Sequence, residues 1–511
     1  MSRLNKILKN TKYNFVLMSF SIIIGFLSRK VFIDNLGPEF VGFVSSALSI
    51  IVFISFLELG LQQAILTSLY KPINQENKSE IEDLMIFLRL SYKYVATLVF
   101  VIATICALTF HEKIISNDIP KGYVLVIFYS LLVTTILDFL VNYKQVLFIA
   151  DQKQYKVIRY TQGLTIANLL VQTILVYVYQ SYWSWVIPQV LFPFVKSYLV
   201  TKITKSEYSD IRIHKDISFL YILKKSRKEI KKIKRLSLHR LSGVVTENSD
   251  NLLYLYFVGA AGVASIGNYK ILFSQIVVLL NTINNSVAPS VGNVIASGKK
   301  ENILRTFWVL YATRSLIASV VVLCFLILTQ PFVFWWLGQS YVLEIETLIL
   351  LILNISLVIH RFTINEYILG FSLFDDIKSP LIEIAIFLAS TILLGDIFGV
   401  NGVLLGVIIT NFCIGFCWKP FYLVKKGLEV TYLYFIKRSL PIFCVHIALV
   451  FSYVEFFYRY DNKSITLAII DSISYVPFYF IFGSMLLALI DIDFRMFWIN
   501  RISRSNKVPR L

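Results

Sequence analysis

Residues 22–40 read IIIGFLSRKVFIDNLGPEF, an apolar run with Arg29 and Lys30 inside it, several residues short of the Gly37-Pro38 break. A cation at the centre of a spanning helix costs about 2.5–3.5 kcal/mol on insertion scales, so two retained there ask for a reason. Neighbouring residues on a helix point about 100° apart, which puts the two cations on different faces. Lys30 has Asp34 four residues on, a spacing that allows an ion pair or a reach to the outer headgroups. Arg29 shares a face with Ser21 and Gly25 at four-residue steps, and no acid stands three or four residues to either side. Lys30 reads as an outer anchor and Arg29 as a cation facing the protein interior.

The rest of the chain agrees that this stretch is a membrane crossing. Of 511 residues, 57% are hydrophobic and only 16% charged, against about 25% charged in soluble domains. Apolar runs near the 20 residues needed to cross a bilayer recur to the C-terminus. We read an all-α polytopic membrane protein with about fourteen transmembrane helices. Residues 14–34 are expected to be the first span rather than a cleaved signal, because no small-residue cleavage site follows them. The five cysteines all fall in apolar runs and form no CxxC pattern; they read as buried hydrophobes.

A net charge of +18 would suit nucleic acid if it lay on one soluble face. Instead it sorts by side: the outer loops hold only Lys113, Lys121, Arg459 and Lys463, and most other Lys and Arg fall in the segments on the opposite side. That asymmetry places both termini in the cytoplasm and makes the excess charge a topology signal. The expected localisation is a membrane with one face toward the cytoplasm.

The largest inner loop, residues 202–235, contains LKKSRKEIKKIKR and divides the chain after six spans. It is either a solvated basic loop or an amphipathic interfacial helix. The expected organisation is an N-terminal six-helix lobe (1–201), this loop, a second six-helix lobe (236–424), and peripheral helices 13 and 14 with a basic tail (425–511). An internal echo supports the division. SRKVFIDNLGPEFVG (28–42) and DNLLYLYFVGAAGVASIG (250–267) align Gly37 on Gly259, Arg29 on Asn251 and Ser28 on Asp250. IADQKQYK (149–156) and FSLFDDIK (371–378), the inner loops after spans 4 and 10, also match loosely. Repeated membrane halves commonly enclose a site that opens alternately to each side.

Polar residues inside the spans fall on faces. Span 7 carries His239, Gly243, Thr246 and Asp250, with Glu247 beside Asp250. Span 8 carries Lys270, Ser274, Asn281 and Asn285. Span 10 carries Asn354, Arg361 and Asn365, with His360 and Glu366 adjoining. Arg314 lies in span 9, and span 2 offers Ser55, Glu58 and Gln62. Stripes this polar cannot all face lipid: they pair as interhelical staples or line a wet cavity. Glu247 and Asp250 either share a proton or Na⁺, since adjacent carboxylates resist double ionisation, or pair with Arg240 or Lys270. Spans 13 and 14 hold only scattered His446, Glu455 and Asp471. The five histidines show no metal-ligand spacing, and no phosphate-binding loop is present; no metal, cofactor or ATP is implied.

Several stretches in order, NLGPEFVGFVSSALSI, ISFLELGLQQAILTSLYKPI, ADQKQYKV, DNLLYLYFVGAAGVASIGNYKIL, PFVFWWLGQSYVL and EIAIFLASTILLGDIFGVNGVLLGVIITN, resemble the Wzx-type polysaccharide flippases of the MOP (multidrug/oligosaccharidyl-lipid/polysaccharide) exporter superfamily. The resemblance covers nearly the whole chain. It implies a MATE-like fold of two pseudo-symmetric six-helix lobes around a central cavity, plus two C-terminal helices. It implies a transporter rather than an enzyme, exporting an undecaprenyl-diphosphate-linked oligosaccharide for O-antigen, capsule or exopolysaccharide. Coupling to H⁺ or Na⁺ is implied, as are a polysaccharide polymerase and chain-length proteins as partners. In that superfamily cavity arginines, one late in span 1, attract the lipid diphosphate, and Arg29 stands at that position; Lys30 departs from the pattern. The substrate-binding candidates are Arg29, Lys270, Arg314, Asn281, Asn285 and Arg361, and the ion-coupling candidates Asp250, Glu247 and Glu58. The competing readings are a MATE-like drug or cation antiporter and, from another class, a membrane-embedded polysaccharide polymerase or ligase. The short outer loops count against an enzyme.

Overall fold

The computed structural model describes residues 3–58, 60–114, 119–151, 153–211, 226–371, 373, 375–376, 378–456 and 464–505. Among them there is no strand. The helices are α1 (Arg3–Leu36), α2 (Pro38–Ile54), α3 (Leu61–Asn74), α4 (Lys78–Ile114), α5 (Lys121–Ala150), α6 (Tyr155–Tyr179), α7 (Tyr182–Glu207), α8 (Arg227–Ala296), α9 (Lys300–Leu337), α10 (Ile345–His360), α11 (Phe362–Gly370), α12 (Lys378–Thr410), α13 (Lys419–Leu423), α14 (Tyr432–Phe456), α15 (Ile465–Ile490) and α16 (Ile492–Ser505). Ten helical segments are long and apolar enough to cross a membrane among the described residues, and Pro38–Ile54 is a shorter apolar helix. This is a multi-pass membrane protein with an all-α fold.

Helix is the expected outcome, because an apolar chain in hydrocarbon has no water to satisfy its peptide groups. The joins between helices are more specific. Gly37 (φ 91°, ψ 155°) ends α1, and Pro38 opens α2 with Glu39 in its first turn. Proline is pre-set for that first position, and an acid there suits the helix dipole. Gly259 breaks α8 with φ 69° and ψ −176°. Positive φ with ψ near 180° is accessible essentially to glycine alone. The two glycines aligned by the sequence echo thus share one uncommon backbone state. Gly399 (φ 57°, ψ −131°) breaks α12, and the chain folds back tightly after it: a Cβ on Gly402 would stand 1.8 Å from the Leu394 carbonyl oxygen.

The chain divides by packing into two compact units, 1–264 and 265–511. In the first, the two echoed motifs touch. A Cβ on Gly42 would lie 1.8 Å from the Ala260 carbonyl oxygen, so α2 and the part of α8 just past its break meet backbone to backbone. Asn251 Nδ2 donates to Ser49 Oγ at 3.0 Å across the same junction. A clasp of charged side chains closes this unit elsewhere. Lys153 bridges Asp151 (2.8 Å) and Glu207 (3.0 Å), Lys156 also reaches Glu207, and Tyr208 Oη donates to Asp151 at 3.0 Å. Burial disfavours the Lys153 ammonium, but its two carboxylates outweigh that and hold its pKa above the ordinary value. Phe148, Val157 and Val200 pack beneath. The second unit has a counterpart: Asp376 accepts from Trp418 Nε1 at 2.7 Å and from the Ser379 amide. In each case an acid just past a helix (α5 in one unit, α11 in the other) accepts a hydrogen bond from an aromatic side chain further along the chain. Of the basic loop, residues 212–225 lie outside the described set, and α8 is already helical from Arg227.

Replacing Gly259 with alanine is expected to cost about 1–3 kcal/mol through backbone strain. Gly243→Ala, in open space within a helix, is expected to be neutral or to stabilise by up to about 1 kcal/mol. Thermal unfolding of the two purified variants should give an apparent Tm below wild type for the first only; equal Tm values would show that the break is not strained for alanine.

Candidate functional site

In the first unit Arg29 stands half-buried on α1, and its Nη2 donates to the Ala264 carbonyl at 3.2 Å. The contact joins the first motif to the end of the second, as Gly42–Ala260 does. Ser28, one residue earlier, is buried, donates to the Ile24 carbonyl and accepts from Thr173 Oγ1 at 2.6 Å. Lys30 pairs with Asp34 at 3.7 Å, both about half exposed (46% and 50%). The two cations therefore separate as helix geometry requires, one outward to its own helix's acid and one inward to another helix's backbone. Asp250 is buried. The side chain of Glu247 lies outside the described set. Glu58 ends a 3-10 turn (Ser55–Glu58) after α2 and accepts from Tyr92 Oη of α4 at 2.6 Å.

In the second unit Lys270 is half-buried and Asn281 exposed; the side chain of Asn285 lies outside the described set. Arg314 is buried inside α9, donating through Nη1 to Thr363 Oγ1 at 3.0 Å and through Nη2 to Glu366. The two charged side chains are only 7% and 9% exposed, so this pair fastens α9 to α11. Arg361 follows α10 and donates to Asn411 Oδ1 at 2.7 Å, while Asn411 Nδ2 donates to Asn354 Oδ1 at 2.7 Å. The stripe read along span 10 thus closes through an asparagine on another helix, in a π-helical stretch, Asn411–Trp418.

Some polar partners escaped the sequence reading. Tyr92 and Asn411 carry nothing in their own helices to single them out; only the helix they meet makes them polar partners. Lys196 of α7 pairs with Asp138 of α5 at 2.6 Å, and opposite charges on two spans were the available signal. Helices 13 and 14 of the sequence reading, α14 and α15, carry more than scattered polar residues suggested. Arg438 binds Asp491 at 2.7 Å and Asp493 at 2.5 Å and lies 4.7 Å over the Trp308 ring. His446 is buried among serines of α9 and α10.

Neither a protein-family model nor a curated protein sequence matches the chain. Solved structures do. The lipid II flippase MurJ, in an inward closed conformation, superposes with TM-score 0.64 at 15% identity, over 94% of this chain and 99% of that one. An inward-facing multidrug resistance MATE family transporter of the MOP superfamily gives 0.56 at 18% identity, over 81% and 96%. A MOP superfamily transporter from Pyrococcus furiosus, whose binding pocket is described as reversed in polarity, gives 0.54 at 16% identity, over 84% and 98%. The fold is the one these transporters share. Identities this low speak to architecture and not to substrate.

Breaking the Arg314–Glu366 pair from one side leaves an uncompensated buried charge. Glu366→Gln and Arg314→Met are each expected to destabilise by about 3–5 kcal/mol, and the Arg314→Met/Glu366→Leu double variant to recover most of it. Thermal unfolding in one detergent checks this; a Glu366→Gln protein as stable as wild type would remove the pair from the list of staples.

Proposed function

We propose that this protein is a flippase that moves polyprenyl-diphosphate-linked oligosaccharide repeat units from the cytoplasmic to the outer leaflet by alternating access. The observation that carries the proposal is Arg29, a guanidinium kept half-buried late in the first apolar helix and steadied by a backbone carbonyl of the second motif. A fold shared with a lipid II flippase over 94% of the chain supports it.

The physical logic is an exchange of penalties. A diphosphate headgroup crossing hydrocarbon bare would meet the same barrier that makes Arg29 expensive. A wet cationic path lowers both costs, and arginine's planar fork suits two phosphate oxygens at once. In the second unit, Lys270 and Arg361 are the further cations we assign to the headgroup. Arg314 joins them only in a conformation that parts it from Glu366. Moving an anion outward also follows an inside-negative potential, worth roughly 2.3 kcal/mol per charge per 100 mV. The orientation is the one the basic inner segments dictate, with both termini in the cytoplasm of a bacterial cell. Coupling to H⁺ or Na⁺ falls to Asp250, Glu247 and Glu58, and a polymerase would consume the exported unit.

A second reading, a cation or drug antiporter, is favoured by buried Asp250 and by the MATE transporters that share the fold. Deletion of the gene separates the two. The flippase predicts accumulation of lipid-linked oligosaccharide facing the cytoplasm; unchanged levels with altered drug sensitivity would establish the antiporter. Arg29→Ala is expected to abolish complementation of the deletion and Arg29→Lys to leave partial activity. Full complementation by the alanine variant at normal expression would overturn the role given to Arg29.

A further inference from the structure

α15 and α16 meet at a single residue. α15 ends at Ile490, Asp491 is extended (φ −108°, ψ 113°), and α16 starts at Ile492. Asp491 is buried and caps α16, its Oδ1 accepting from the Phe494 amide at 2.8 Å. Both α14 and α15 are long and apolar enough to cross a membrane. Arg438, near the start of α14, binds Asp491, past the end of α15. The join therefore lies at the level where both spans leave the hydrocarbon.

A cavity of about 280 Å³ stands at this join. Lys437, Tyr434 and Ile492 line it and are exposed, so its mouth is at the surface. What it offers a ligand follows from its charges. Asp491 and Asp493 would repel an anion, but Arg438 binds them at 2.7 Å and 2.5 Å and neutralises much of their charge. Lys437 has no ion pair among the described residues. Tyr434 Oη accepts from Arg438 Nη1 at 3.2 Å, which leaves the phenol's own hydrogen to give. Arg495 is exposed one helical turn beyond Asp491. No acid follows Asp493 in the sequence, whereas Arg501, Arg504, Lys507 and Arg510 do. An excess of positive charge with a phenol donor beside it suits a phosphate.

The rest of the lining is apolar. Pro441 lies one turn after Lys437 on the same face of α14, and Ile490 and Ile492 flank the join. Ile492 is 60% exposed, and with Met496 and Ile499, also exposed, it makes a strip along α16 at steps of four and three residues. A helix with an apolar strip and basic neighbours, starting where a span ends, lies in the interface with the strip toward the acyl chains. A soluble anion would leave this wall uncovered. A molecule that carries both a phosphate and a hydrocarbon chain covers both walls, and around a spanning pair such molecules are the phospholipids of the bilayer.

We infer that the cavity at the α15–α16 join is a binding site for an anionic phospholipid of the surrounding membrane. Lys437 and Tyr434 take its phosphate, Arg495 adds charge at the rim, and Pro441, Ile490 and Ile492 carry its acyl chain. An occupied site fastens α16 to the α14–α15 pair at the membrane surface. It does not depend on what the protein transports.

The test is native mass spectrometry of the full-length protein in detergent, titrated with phosphatidylglycerol and, separately, with phosphatidylcholine of the same chains. The expected result is saturable retention of phosphatidylglycerol and weaker retention of phosphatidylcholine. A cation near the membrane surface is worth about fivefold toward anionic lipid. Lys437→Gln and Arg495→Gln are therefore each expected to weaken phosphatidylglycerol about fivefold, and the double variant about 25-fold. Ile492→Ser is expected to weaken it too, and glycerol 1-phosphate, a headgroup without chains, not to compete. Lys71→Gln, an exposed cation of α3, is expected to change nothing. All four positions are exposed, which keeps loss of the fold out of the readout. Equal retention of the two lipids, or full binding by the Lys437→Gln/Arg495→Gln protein, would overturn the inference. So would an equal loss in Lys71→Gln, which would make the attraction diffuse, or competition by glycerol 1-phosphate, which would make the ligand a soluble phosphate.

Discussion

Everything in this molecule follows from the need to satisfy peptide groups where no water reaches them. An apolar chain in hydrocarbon must be helical, and each place where a helix ends must lose as few hydrogen bonds as it can. Glycine supplies that economy at Gly37, Gly259 and Gly399, whose positive φ turns the chain within a single residue. Short joins bring the next helix close at once. The same smallness then works at contacts, as at Gly42 against Ala260, where backbones approach nearer than any side chain would permit.

The second constraint is that polar groups within the spans must find one another or water. Several of the charged and polar side chains that the structure describes are bound to groups on other helices: Glu58 to Tyr92, Lys196 to Asp138, Arg314 to Glu366, Arg361 to Asn411, His446 to two serines. These contacts serve as register marks. Without a hydrophobic force to distinguish one apolar helix face from another, a buried pair decides which faces meet. Arg29 reaches the Ala264 backbone carbonyl, and the proposed function rests on its place late in the first apolar helix.

The two halves of the chain also solve the same problem with different residues. Position 29 is arginine and its counterpart 251 asparagine, yet both reach across a helix junction, to Ala264 and to Ser49. Asp151 takes a tyrosine hydroxyl and Asp376 an indole nitrogen, each just past a helix end. What repeats is the geometry of the contact, which tolerates exchange of the donor.

The sequence by itself determined the all-α membrane class, the turning points at Gly37 and Gly259, the separation of Arg29 from Lys30, and the stripes on which the candidate residues lie. These are legible because hydropathy, glycine and the 100° step of a helix act locally, within a few residues. Only the tertiary structure decided what each stripe faces. Arg314 and Arg361 are alike in sequence, but one is locked to Glu366 and the other leads through Asn411 to Asn354, because each partner lies about 50 residues away on another helix. His446, scattered as the sequence shows it, is held between two serines once α14 packs on α9. Pairing in a membrane depends on which helices become neighbours. That is set by packing summed over whole faces, which no single stretch of chain encodes.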